Sequence, residues 1–470
     1  MPSAVHVHLQ LRIVGDDGTV FTDCEILRLV KSHHQLEAVG LSIGESKSLQ
    51  KCLQQHVVTA QAAAFVSRHR CCPACGRHLC SKGKYPVVFR TVFGNVTLSG
   101  PRFYRCGCQP ADSQTFSPLT ELFTEHTAPE LLYLETRWAT LVSFGLTAAL
   151  PRNVLPVADA ANPETIRCHV HKVADRHEAD LGTSEPGSRN DGPAAGQASP
   201  IAREAVIVGI DGGYLRNWHD KQKKFEVIVG KSMAEDCDDR YFGLVRNQDA
   251  APKQRLREML RSQKLPGDQP VTVLTDGGDS VRALVGDLPA GTEHHLDWFH
   301  VAMRLTGLEQ YAKGLAHHNP IEAIALQDRL ERIKWRLWHG DADEALNRAR
   351  ELAEDVAALS SGYPGLARLA KATGELATYI ENNAGAIPDY AARWDHGAII
   401  STAFAESTVD RVVSRRFAKK QPMQWSKKGA HRLLQTRTRT LDGTLRDLFT
   451  TWYPAMPANG VQPAPLASAA

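Results

Sequence analysis

Apolar and polar positions change period several times along this chain, and each change marks an expected element. The first thirty residues alternate, and Lys84–Arg105 alternates again around Gly94-Asn95, the period of two that predicts a β-hairpin. From Glu121 to Asp180 the period is helical. An apolar helix is expected over Leu141–Leu150, then a second one capped by Asn162 with Pro163 in its first turn. The pair has the pattern of a helix-turn-helix, which ordinary helical hairpins share. Residues 182–203, rich in Gly, Pro and Ser, predict a linker. Past it, Ala205–Ile210, Phe225–Ser232 and Arg240–Asn247 are expected to form an antiparallel meander. A helix over Lys253–Gln263, a buried strand Val271–Thr275 and a fifth strand Glu293–Leu296 follow. Arg304–Ile380 is almost wholly helical in pattern, and a further helix is expected over Thr402–Phe417.

With 470 residues, 43% of them hydrophobic and 23% charged, the chain can bury several cores, which excludes a disordered tail or a disulfide mini-protein. No apolar run approaches the roughly 18 residues of a membrane span, and no secretory leader is visible, so a cytoplasmic protein without membrane contact is expected. A net charge of +3 says little, but Arg411–Thr440 holds ten Lys or Arg and no acid. Folded onto one face, Arg411, Arg415, Arg416, Lys419, Lys420, Lys427 and Lys428 would form a footprint for a polyanion, with Trp425 stacking on a splayed base. A solvated basic face is the plainer alternative. Six of the ten cysteines fall between Cys71 and Cys108. Cys72 and Cys75 form a C-x-x-C, and Cys106 and Cys108 a second pair beyond the expected hairpin, the arrangement of a zinc ribbon; Cys71 or Cys80 could substitute as a ligand.

Two strands end in the same signature, Asp211-Gly212-Gly213 and Asp276-Gly277-Gly278. A ribonuclease-H-like arrangement lays these strands side by side and parallel, bringing the carboxylates together. Acids that close call for hard divalent cations such as Mg²⁺ or Mn²⁺, which suit phosphodiester chemistry.

The two Asp-Gly-Gly strand ends, Asp297-Trp298-Phe299-His300, and the run from Ala405 to Arg437 together resemble insertion-sequence DDE transposases of the ISKra type, related to the ISL-type and Mutator-like groups. The N-terminal Cys pairs and hairpin share the resemblance, which covers about residues 45 to 453. It implies Asp211, Asp276 and Glu406 as the metal-holding triad, with Asp410 the competitor for the third place. It also implies Asp297 and His300 as the family's D-x-x-H motif, and an all-α insertion before Glu406. The implied fold is a multidomain α+β chain: a ribonuclease-H-like α/β catalytic core interrupted by an all-α insertion, with an N-terminal zinc ribbon and a helical DNA-binding region. Its expected parts are the ribbon region 1–110, a helix-turn-helix-like region 111–181 and the linker 182–203. Core segments 204–303 and 396–455 flank an insertion 304–395, before a disordered tail 456–470. The implied function is a bacterial DNA transposase that binds terminal inverted repeats as a homo-oligomer and cleaves and transfers strands with Mg²⁺ or Mn²⁺. A nuclease of the same fold without transfer activity, and a domesticated non-catalytic DNA-binding protein, are the alternatives.

Overall fold

The computed structural model describes residues 4–32, 36–108, 114–157, 162–183, 206–234, 237–263, 271–285, 292–401, 407–417 and 424–456. The chain is mixed α and β, in two compact units: Met1–Lys172 with Leu445–Ala470, and Val173–Thr444.

In the first unit, β1 (Ala4–Val14) and β2 (Val20–Ser32) form an antiparallel hairpin. Helix α1 (Ile43–Arg68) starts at a capping box in which Ser42 and Glu45 satisfy each other's backbone N–H groups. It packs on the second hairpin, β3 (Ser81–Thr91) and β4 (Gly94–Tyr104), with β5 (Thr115–Phe116) at the edge. Alternating Val87, Val96 and Leu98 face Val58 and Ala62 across this small core. The turn is Val92-Phe93, not the expected Gly94-Asn95. Thr91 Oγ1 donates to the Gly94 carbonyl at 2.7 Å and accepts from Phe93 N–H, and Gly94 takes the positive φ of 109° that this tight reversal needs.

The short α2 (Leu119–Leu122) precedes α3 (Pro129–Leu141), α4 (Phe144–Ala149), α5 (Pro151–Val154) and α6 (Pro163–Thr183). The single helix expected over Leu141–Leu150 does not form. Val142 is extended, and Ser143 starts α4 by accepting the Leu146 N–H. Asn162 caps α6 as its position suggests, accepting the Thr165 N–H at 2.8 Å. The unit is closed by the helix Leu445–Trp452, whose Phe449 meets Tyr133 edge-on and whose Arg446 grips Glu130 with two bonds of 2.8 and 2.9 Å. These contacts draw the C-terminal residues into the N-terminal unit, whereas the sequence suggested one core running to residue 455. The unit boundary also falls inside α6, ahead of the expected linker, of which only Gly182 and Thr183 are described, as the end of that helix.

The second unit is built on a five-stranded sheet. β6 (Val206–Arg216), β7 (Lys224–Met233) and β8 (Arg240–Val245) form the antiparallel meander, while β9 (Val271–Thr275) runs parallel to β6 and β10 (Glu293–Leu296) parallel to β9. The spatial order is β10-β9-β6-β7-β8. All five residues of β9 are buried, as a parallel strand covered on both faces requires, and α7 (Pro252–Ser262) and α8 (Asp279–Val285) supply cover through Leu256, Met259, Val281 and Leu284. From Trp298, three residues before the helix expected at Val301 and six before the expected insertion boundary, helices α9 (Trp298–Leu315), α10 (Pro320–Trp338), α11 (Ala342–Ala358), α12 (Leu366–Asn383) and α13 (Tyr390–Asp395) enclose a core of their own. That core includes Leu296 at one end and Ile400 at the other, which ties the helical section to the sheet. Instead of a regular helix to Phe417, Asp410–Ser414 forms a π-helical turn followed by one α turn, Arg415–Phe417. A last helix, Lys427–Leu441, packs on β8 through Gln435, which donates to the Gly243 carbonyl at 2.9 Å.

Candidate functional site

Three aspartates stand side by side at one edge of the parallel strands. The last residues paired between β6 and β9 are Ile210 and Thr275, and the last between β9 and β10 are Thr275 and Leu296. The next residue of each chain is Asp211, Asp276 or Asp297, so matching register brings the three positions to one level on strands about 4.8 Å apart. Asp211 lies in mid-strand, a correction to the strand end read from its glycines. Beyond it β6 keeps its pairing with β7 through Arg216 opposite Lys224, while β9 stops at Thr275.

Local geometry holds each acid. Asp211 is buried and accepts the Gly212 N–H at 2.6 Å, and Asp276 accepts the Gly278 N–H at 2.8 Å. Gly277 has φ +80°, and a Cβ on Gly278 would sit 3.1 Å from Asp276 Oδ1, so the second glycine keeps the space beside that carboxylate clear. Asp297 is fully buried and caps α9 by accepting the Phe299 N–H at 2.8 Å; His300 Nε2 lies 4.0 Å from its other oxygen.

The helical section reaches these strand ends. Tyr379 donates its hydroxyl to the Asp276 carbonyl at 3.1 Å, and Tyr390 donates to the Leu296 carbonyl at 2.8 Å. Burial pushes the Tyr379 phenol up to about 12 against the opposing Arg304, whose guanidinium lies 4.0 Å from the ring centre, and the charges of Asp276 and Asp297 add to the rise. Arg282 on α8 donates to Asn383 Oδ1 at 3.4 Å, fixing the α12 end that crowds Gly277. No sequence period announces a tyrosine 103 positions from its partner.

Glu406 lies outside the described residues, as do Lys419 and Lys420. The segment that resumes at Ser407 runs along β6: Val409 Cγ1 is 3.4 Å from where a Cβ on Gly213 would be. Asp410 is exposed and paired with Arg415 at 3.0 Å.

The basic footprint is corrected in part. Trp425 is buried against Phe417, its backbone bonded to Arg216 and Trp218, so it cannot stack on a base. Arg416 is buried over the Trp425 ring, and burial, helped by Arg437, lowers its guanidinium to about 10. Arg411 donates to the Tyr241 hydroxyl at 2.8 Å, and Arg432 and Arg439 are paired with Asp175 and Glu258. Asp175 and Glu258 from far upstream, and Asp410 just ahead of the run, neutralise three of its arginines. Lys427 and Lys428 remain exposed.

In the first unit, Cys72, Cys75, Cys106 and Cys108 gather with their sulfurs all within 4.8 Å of one another. The Cys72–Cys108 and Cys75–Cys106 pairs are both 3.5 Å apart, near the roughly 3.8 Å edge of a tetrahedron with 2.3 Å metal–sulfur bonds. Gly76, at φ +71°, lets its N–H reach the Cys72 carbonyl at 2.9 Å and closes the first turn. The Cys75 backbone N–H draws the Cys72 thiol down to about 7, while the sulfurs of Cys106, Cys75 and Cys72 push Cys108 up to about 12. Four sulfurs this close could hold a metal ion, each as a thiolate. Cys71 instead pairs its backbone with His78, and Cys80 lies at the entry to β3, both outside the group.

No protein-family model matches this chain, and no curated protein matches it.

A second cluster went unread in the sequence. Arg255, buried, contacts Asp249 at 2.5 Å and Glu178 at 2.6 Å, and His431 lies 3.2 Å from Glu178. Burial alone would raise the Glu178 carboxyl, but His431 and Arg255 outweigh it and hold it at about 2. Beside it, a void of ≈ 20 Å³, room for about one water, is lined by His177, Glu258, Arg439 and Asp442. The guanidinium already supplies the positive charge there, so the group reads as a structural pin between the sheet and the helix Lys427–Leu441.

Proposed function

We propose that this protein is a DNA transposase of the DDE type, which cleaves and transfers DNA strands at a divalent-metal site held by Asp211, Asp276 and Glu406. The observation that carries the reading is the register of β6 against β9, which sets Asp211 and Asp276 at one level on adjoining parallel strands. The strand order agrees with a ribonuclease-H-like core, and the helical section falls between that core and Glu406, as in the resemblance. The donor set fits the metal: carboxylates are hard oxygen ligands, and Gly278 leaves room beside one of them. A bound divalent ion would supply charge stabilisation for attack on a phosphodiester.

The chain's own residues do the positioning. Gly212 and Gly278 orient one oxygen of each aspartate, Tyr379 and Asn383 hold the turn after β9, and Asp297 fixes the start of α9. Arg304, stacked on Tyr379, brings positive charge to the edge where a phosphate backbone would lie. The four cysteines would hold a structural Zn²⁺ as a zinc ribbon.

The test uses the full chain and a plasmid carrying its coding region with the flanking DNA, in Mg²⁺ or Mn²⁺, with nicks and joined products mapped. Asp211→Asn, Asp276→Asn and Glu406→Gln should each lose cleavage by at least a hundredfold while keeping DNA binding, and Asp410→Asn should keep most activity. Undiminished cutting by the Asp211 and Asp276 variants would overturn the site. Nicking without joining would favour the nuclease alternative.

A further inference from the structure

Among the described residues from Ala4 to Val57 none is fully buried, although this stretch holds the whole first hairpin and the first turns of α1. A hairpin of two strands is marginal by itself and gains stability from a third strand or a cover on its apolar side. Here the cover is incomplete. Val5, Val7, Leu9, Leu11 and Ile13 share one side of β1, and His6, His8, Gln10 and Arg12 the other. Lys31, paired opposite Val5, meets Glu45 of α1, and Cys24, opposite Leu11, lies 3.8 Å from His56, so the apolar side is the one turned toward α1. Both contacts are made by β2. On β1 itself Val5 stays 55% exposed and Leu9 37%.

The two outer edges differ in the same sense. β2 supplies the extra residue at both register shifts, Ile26 between the Leu9 and Gln10 pairs and Phe21 between the Ile13 and Val14 pairs, and it carries Asp23, Glu25, Arg28 and Lys31. Bulges and charges of this kind blunt a strand edge. β1 runs unbroken for 11 residues with no Pro, Gly, acid or Lys, and among the described residues it pairs with β2 alone. Its other edge is a row of backbone N–H and C=O groups that a further strand would satisfy.

We infer that β1 pairs antiparallel with β1 of a second copy of this chain, about a twofold axis at Leu9, giving a four-stranded sheet in the order β2-β1-β1-β2. An edge of unpaired backbone groups calls for a strand, and the alternation of β1 matches itself. Leu9 is the midpoint of Ala4–Val14, so pairing centred there engages the whole strand. It sets Val5 against the copy's Ile13 and Val7 against the copy's Leu11, apolar on apolar throughout. On the polar side His8 meets the copy's Gln10 and His6 the copy's Arg12. Within each hairpin Asp23 answers Arg12 at 3.7 Å and Glu25 lies 2.9 Å from His8, so the joined edges bring no uncompensated full charges together. Main-chain bonds supply the affinity of such strand addition and the alternate side chains its register. The twofold axis leaves only the blunted β2 edges outside, so assembly stops at two copies. The inference goes beyond the transposase reading and does not rest on it.

The experiment is analytical ultracentrifugation of the full chain without DNA, over a series of micromolar concentrations. The parent should form dimers and nothing larger. Leu9→Lys, which sets two ammonium groups face to face at the axis, should weaken self-association by about tenfold or more. Val30→Lys, the same change at an exposed position of β2, should associate like the parent. Melting reports whether Leu9→Lys folds, and Val5→Lys, at a side chain already more than half exposed, repeats the test if it does not. A parent that stays monomeric, dimers that survive both β1 substitutions, an equal loss in Val30→Lys, or open-ended polymers would overturn the inference. None of these readouts involves cleavage, so their failure would leave the catalytic reading standing.

Discussion

Asp442 illustrates how one half-buried carboxylate can set the response of a unit to pH. Burial raises it to about 7, against the pull of the Tyr241 N–H and of Arg439, Arg240 and Arg411. Because its folded value lies above the unfolded one near 4, its protonated form favours folding, and that contribution is complete below about pH 4 and is lost as pH rises through 7. Asp442→Asn keeps the oxygen that accepts from Tyr241 at 2.9 Å but cannot ionise. In urea unfolding the variant should therefore gain on the parent by about 2 kcal/mol between pH 5 and pH 8. An equal pH dependence in both proteins would show that Asp442 ionises normally. Single residues were also where sequence reading failed. Trp425 and Arg416 have the types expected of a DNA contact, but type does not reveal that Phe417 and the β6 backbone already occupy them.

At the scale of elements, the sheet was legible because strand burial writes itself as apolar runs: β7 through β10 fall within a few residues of their expected places. The extension of β6 past Asp211 was not, since glycines read as punctuation even where a hairpin partner keeps them in register. Nor could helical periodicity show that α12 braces the turn after β9. Tyr379→Phe removes the hydrogen bond to the Asp276 carbonyl while keeping the ring under Arg304. It should cost about 1 kcal/mol of stability and lower cleavage several-fold with little change in DNA affinity. Unaltered cleavage with the same loss of stability would make the bond purely structural.

Across the whole molecule, the cysteine group belongs to one unit and the aspartate row to the other. Chelation, or Cys72→Ser, should lower the melting temperature of the first unit, with loss of about one zinc per chain, and leave the second unit's transition in place. Calorimetry showing a single transition that shifts as a whole would contradict this. The Cys pairs were readable from spacing, with Cys71 and Cys80 left open as substitutes, whereas membership of the units was not, because it depends on contacts between opposite ends of the sequence. The helix Leu445–Trp452 completes a core whose other members leave the ribosome first. Tyr133 and Glu130 must wait, through synthesis of the entire second unit, for Phe449 and Arg446. The order of completion therefore inverts the order of synthesis, and a premature stop after Thr444 would strike hardest at the opposite end of the chain, leaving the earliest-made unit without its closing helix.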